Sequence, residues 1–184
     1  MNTITKALLA GATAAVFTGT AGLTGAQAAT ACPTGWGSLA KAGPTMSQAS
    51  VHDVRAGRHA CFDRLVIDLR GKVGRSYDVR YVRTVTEDGS GRLVPLRGGA
   101  FLQLVVRAPA YDSWTGRATF APPNRREVAN VTGFQTMRQV AWGGSFEGHT
   151  TLGVGVRARL PFRVTILDGP GRDSRVVLDV AHRW

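Results

Sequence analysis

The sequence predicts an all-β fold, an antiparallel β-sandwich, on three observations. From about residue 49 onward, short runs rich in Val, Ile, Thr, Tyr and Phe alternate apolar with polar positions. Glycine-rich turns separate these runs, and the chain holds 23 glycines in 184 residues. No window sustains an apolar repeat of helical period. With 43% hydrophobic and 19% charged residues, the chain is globular and long enough for one ordinary domain with its own core.

The elements follow in order. "MNTITK" carries one positive charge, "ALLAGATAAVFTGTAGLTG" is apolar and small, and "AQA" offers small residues at cleavage positions. That layout predicts a secretory signal peptide over residues 1–28, cleaved after Ala28. Its many Gly and Thr residues argue against an uncleaved anchor. Ala29, where a lipobox prefers Leu, argues against lipidation at Cys32. No later stretch is long and apolar enough to span a membrane. Residues 29–48, with Pro33 and Pro44, read as an extended lead-in. "SVHDVR", a turn at "AGRH" and "ACFDRLVIDLRG" form a hairpin candidate. "SYDVRYVRTVT" alternates cleanly and "EDGSG" is a turn. "RLVPL" and "AFLQLVVRA" are strands around "RGG". Residues 108–126 read as one long surface loop with room for one short strand. "VANVTGFQTMRQVAW" gives one or two strands, and "GGSFEGHT" a turn. "TTLGVGVRARL", "PFRVTILDG" and "SRVVLDVAH" close the domain, residues 49–184.

The two cysteines, Cys32 and Cys61, both follow the signal peptide. An even count in an oxidising compartment predicts one disulfide, which would tether the lead-in to the domain. Neither fits a C-x-x-C spacing, and the four histidines form no H-E-x-x-H, so no metal or other cofactor is expected. The formal net charge is +11, and the basic residues are arginines except for Lys6, Lys41 and Lys72. Such a charge attracts polyanions. Outside a cell these are wall polymers and anionic lipid heads. Nucleic acid is not an expected partner: the arginines are scattered along strands, with no basic run beyond "NRR" and no RNA-binding aromatic signature.

Two segments echo one another. "RLVIDL" (Arg64 to Leu69) and "RVVLDV" (Arg175 to Val180) share the order Arg, three aliphatics, Asp, aliphatic. By strand alternation Leu65, Ile67 and Leu69 share one face, as do Val176, Leu178 and Val180, while Arg64 with Asp68 and Arg175 with Asp179 lie on the opposite face. The echo suggests equivalent strands in the two sheets of a pseudo-symmetric sandwich. Together with "R-x-G-x-H-x-x-F-D-R-x-V" (Arg55 to Val66), "F-E-G" (Phe146 to Gly148) and the closing "P-F-R-V", it resembles the AMIN-like domain of secreted actinobacterial proteins over residues 49–184. The wider AMIN domain is a β-sandwich that binds peptidoglycan and localises attached amidases or secretin components. The resemblance therefore implies a cell-envelope binding module, with peptidoglycan or an associated anionic wall polymer as partner. These 184 residues carry no amidase domain, so binding rather than targeting is what transfers. A secreted protein–protein interaction or structural module, with no glycan ligand, is the competing reading.

The candidate site residues follow from the charged motif. Asp63 shares the core face of Leu65 and Ile67, and a buried carboxylate needs a partner. Arg55 and His59 are the nearest candidates by hairpin geometry. One reading is a buried polar lock. The other is a ligand site of Arg55, His59, Asp63 and Arg64, in which arginine forks grip the carboxylates of wall peptides. Trp114, with Arg125 and Arg126, forms a second candidate on the long loop, where an exposed ring could stack on a sugar. Trp36 is expected to pack beside the disulfide and Trp142 in the core. No enzyme is expected: Ser145 lies in no G-x-S-x-G, and Asp63 with Glu147 is a carboxylate pair any β protein could offer.

Overall fold

The computed structural model describes Cys32 and residues 35–184; the predicted signal peptide lies outside the described residues. The strands among these are β1 (Lys41–Ala42), β2 (Ser50–Arg58), β3 (Phe62–Arg70), β4 (Tyr77–Val82), β5 (Val85–Thr86), β6 (Leu93–Val94), β7 (Ala100–Val106), β8 (Met137–Phe146), β9 (His149–Val156), β10 (Phe162–Asp168) and β11 (Ser174–Ala181). They build a five-stranded sheet in the order β1-β4-β7-β9-β8, a four-stranded sheet in the order β10-β11-β3-β2, and a β5-β6 ribbon. Every pairing is antiparallel. The predicted β-sandwich is the fold.

Alternation explains the packing. Leu65, Ile67 and Leu69 of β3 and Val176, Leu178 and Val180 of β11 face Leu102, Leu104 and Val106 of β7 and Leu152, Val154 and Val156 of β9, all essentially inaccessible. Each such side chain contributes about 1.5–3 kcal/mol when fully buried.

The echo has a different meaning from the one expected. β3 and β11 are neighbours in one sheet, not counterparts in two, and they pair about Val66 opposite Val177. Antiparallel pairing sets Arg64 opposite Asp179 and Arg175 opposite Asp68. The repeated order of residues is thus charge complementarity across a ladder, with its local two-fold inside a single sheet.

Other boundaries also shift. The lead-in supplies β1, an edge strand that pairs Lys41 with Val79. "SYDVRYVRTVT" splits, because β5 and β6 leave the sheet and fold over its outer face, burying Val85 and Val94 against Ala141. Alternation cannot register such a departure, since both faces bury apolar residues. The long loop runs from Arg107 to Thr136 with one isolated bridge, Tyr111 to Ala118. "VANVTGFQT" forms no strand. Nor is the loop purely a surface feature: Ala108, Ala110, Ala129 and Val131 join the core. The "GGSFEGHT" turn contracts to Glu147 and Gly148, because β8 continues through Phe146. Both turn residues have positive φ, 45° and 78°, as a two-residue type I′ hairpin requires.

Candidate functional site

Asp63 is fully buried. Neither Arg55 nor His59 is its partner. Asp63 Oδ2 accepts from the backbone N–H of Thr136 (2.6 Å) and of Met137 (2.9 Å), and Oδ1 from His182 Nε2 (3.1 Å). The lock is real, but it joins the four-stranded sheet to the start of β8 rather than fixing the β2–β3 hairpin. The hairpin geometry misled because Asp63 points inward, towards the opposite sheet. Among the described residues, the buried His182 Nδ1 has no hydrogen-bond partner.

Above this lock the end of the sandwich is hollowed. One hollow of about 430 Å³ is lined by Arg58, His59 and Asp63, and a second of about 400 Å³ by Cys32, Arg157 and Arg183. Ala60, Gln135 and His182 line both, which makes them one cleft. The β2–β3 turn, the end of the long loop, the end of β9 and the chain's last residues supply its walls. The Cys32–Cys61 disulfide is formed, with Cα atoms 5.2 Å apart, and the Cys61 carbonyl accepts the His182 N–H at 2.9 Å. Arg157 Nη2 donates to the His182 carbonyl. Among the described residues, no carboxylate forms an ion pair with Arg58, Arg157 or Arg183.

The other expected site residues lie elsewhere. Arg55 and Arg64 stand on the outer face of the four-stranded sheet. Arg64 grips Asp179 through two bonds of 2.7 and 2.9 Å, and Arg163 adds a third at 2.9 Å. Arg55 and Arg175 share Asp68 in the same way. These hydrogen bonds raise the Arg55 and Arg64 pKa values against the opposing effect of burial. Trp36 and Phe62 stack on the Arg163 guanidinium, at 4.4 and 5.5 Å, and Phe62 also carries the His59 ring at 4.5 Å. Of the first candidate set, the structure brings only His59 and Asp63 to the cleft.

Trp114 is 97% exposed. It tips a turn that Asp112 holds by accepting from the Trp114 and Thr115 N–H groups and the Thr115 hydroxyl. Those bonds keep the Asp112 carboxyl below its usual range. Arg125 pairs with Glu87 at 3.2 Å. Arg126 is exposed, and its carbonyl accepts from Gln139. No stacking joins Trp114 to either arginine among the described residues. Trp142 is in the core, beside Phe120.

Sequence reasoning missed His182, Arg157, Arg183 and Gln135. A signal existed for the first. Aligning the echo as an antiparallel ladder, Arg64 on Asp179, carries the chain past Ala181 opposite Phe62 and delivers His182 to Cys61.

The supposed carboxylate pair also resolves. Asp63 binds the first residue of β8, whereas Glu147 follows its last, so the ten-residue strand separates them by about 30 Å. A glycosidase pair sits within about 10 Å, so these two share no cleft.

Two antiparallel sheets with a basic, disulfide-flanked cleft at one end define a β-sandwich domain. The chain belongs to the AMIN-like family: the family model described as the AMIN-like domain matches residues 49–182. Membership suggests a cell-wall-related binding module. The chain has no significant match among curated proteins or solved structures. No helix among the described residues is long and apolar enough to cross a membrane.

Proposed function

We propose that this chain is a secreted, non-catalytic binding module of the cell envelope, released from its signal peptide after Ala28. Its end cleft takes carboxylate groups of peptidoglycan, or the anionic groups of an associated wall polymer. One observation carries this reading. Three arginines that form no ion pair among the described residues, Arg58, Arg157 and Arg183, converge on this one cleft. Positive charge gathered around a hollow without internal compensation favours an external anion, and arginine grips carboxylate or phosphate through paired N–H groups. The fully exposed Trp114 favours a second reading, in which the loop tip anchors another secreted protein, since rigid aromatic anchors dominate such interfaces.

Co-sedimentation of residues 29–184 with purified peptidoglycan, with and without its anionic polymers, across a salt series tests the first reading. Arg58→Gln with Arg183→Gln should weaken retention roughly tenfold or more, as loss of charge-assisted bonds implies. The Arg157 contact to the His182 carbonyl is left intact. Failure of the unaltered chain to sediment, or full retention by the double variant, overturns the assignment to this cleft.

A further inference from the structure

A second hollow, of about 320 Å³, lies on the outer face of the five-stranded sheet and is of opposite character. Gln103 of β7 and Thr151 of β9 form its floor. Asp88 from the β5–β6 turn and Glu147 and His149 from the β8–β9 hairpin form its walls. Phe146 stands at the side, 48% exposed, with its ring against Gly89: a Cβ there would sit 3.1 Å from the ring. Gly89 has φ of 80°, so both space and backbone conformation require glycine, and the ring is thereby fixed in place.

Several polar side chains of this hollow have no hydrogen-bond partner among the described residues. Thr151 is only 3% exposed, lines the hollow, and its hydroxyl makes no hydrogen bond among the described residues. The same holds for the Gln103 amide and for the Asp88 and Glu147 carboxylates. His149 Nδ1 is occupied by the Glu147 carbonyl at 2.9 Å, leaving Nε2 free. Glu87, also in the wall, is engaged by Ser90, Arg92 and Arg125, which hold its carboxyl below the usual range. The unpartnered groups are left to solvent in the hollow, and a bound group that reproduces the hydrogen bonds of water replaces it without loss.

We propose that this hollow is a carbohydrate site, which takes a neutral sugar unit. Sugars present many hydroxyl donors, and the hollow presents acceptors on two walls and an amide and a hydroxyl on its floor. The apolar C–H face of the sugar lies on Phe146, as ligand sites combine an apolar surface with a few placed polar groups. An anion is disfavoured by Asp88 and Glu147. The site therefore complements the end cleft: one holds the charged groups of the wall and the other its glycan. The inference rests on the envelope reading only for that pairing, since the hollow's chemistry stands alone.

The test is titration of the mature chain with neutral oligosaccharides, chitotetraose and maltotetraose, followed by amide NMR shifts, with 1,5-diaminopentane as a cationic control. The expected result is saturable shifts centred on the Gln103 side-chain amide, Thr151 and the Glu147–Gly148 turn. Thr151→Val, which keeps the shape but removes the hydroxyl, should weaken binding about tenfold, and Asp88→Asn with Glu147→Gln by at least as much. Unchanged melting temperatures establish that the variants fold. Arg58→Gln with Arg183→Gln should leave sugar binding intact even if it abolishes wall sedimentation, which separates failure of one site from failure of the other. Shifts centred on the end cleft, binding of the diamine but not of either sugar, or no shift at all would overturn the proposal.

Discussion

Asp63 shows how one inward-facing charge can organise a sandwich. Its carboxylate satisfies two backbone N–H groups of the opposite sheet and orients His182. Truncation would strand the Thr136 and Met137 N–H groups in the interior, at about 1–3 kcal/mol each. Asp63→Ala should therefore lower stability by about 3 kcal/mol or more in urea denaturation, whereas Asp63→Asn, which keeps an acceptor, should cost less. Equal costs for the two would show that side-chain volume, not the acceptor, is what matters. At this scale the sequence was half legible. The burial of Asp63 follows from strand alternation, because it shares a face with Leu65 and Ile67. Its partners do not, because Thr136 and Met137 are more than seventy residues away and nothing local marks which backbone groups will cross the core.

At the level of elements, β9 carries a signal that reads differently once the sheet is assembled. Gly153 and Gly155 alternate with Leu152, Val154 and Val156, so one face of the strand is apolar and the other bare. Residues Leu96 and Arg97 lie over that bare face. A Cβ on Gly155 would fall 1.9 Å from the Arg97 carbonyl oxygen, and one on Gly153 would fall 2.9 Å from Leu96 Cδ1. Glycine is needed here for close approach, not for an unusual φ. Gly155→Ala should cost about 2–3 kcal/mol by displacing that backbone segment, as overpacking does. Gly57→Ala on β2, where the added methyl meets nothing within 4 Å, should change stability little. A benign Gly155→Ala, measured by thermal melting, would mean that the 96–97 segment moves freely. The existence of the strands was readable because period-two alternation is a local property. The β5–β6 fold-over and the buried alanines of the long loop were not readable, because those apolar residues cover the sandwich without repeating at any period. The echo lay between these cases. Its residues announced a relation between β3 and β11, but only the antiparallel register, Arg64 on Asp179 and Arg175 on Asp68, tells complementarity from duplication.

Across the whole molecule, the two candidate sites sit at different places and depend on different supports. The end cleft draws on five distant segments: Cys32, the β2–β3 turn, Gly133–Gln135, Arg157 and the chain's end. No local motif could have assembled them. The disulfide braces this cleft directly, since Cys32 lines it and the Cys61 carbonyl holds His182. Its loop spans a sequence separation of 29 residues, worth about 3–4 kcal/mol in the chain-entropy account. Part of the tethered segment stays fixed without it, because the Gly37 carbonyl accepts the Phe162 N–H and Trp36 stacks on Arg163. Replacement of Cys32→Ser with Cys61→Ser should therefore destabilise the domain by about 3 kcal/mol without unfolding it, and should weaken cleft-dependent sedimentation. The carbohydrate hollow, built from the β5–β6 turn and the β8–β9 hairpin, contains no residue of the tethered segment. Its sugar titration should be unchanged in the same variant. Parallel loss at both sites would show that the disulfide supports the sandwich as a whole. Selective loss at the cleft would show that it serves the basic site alone.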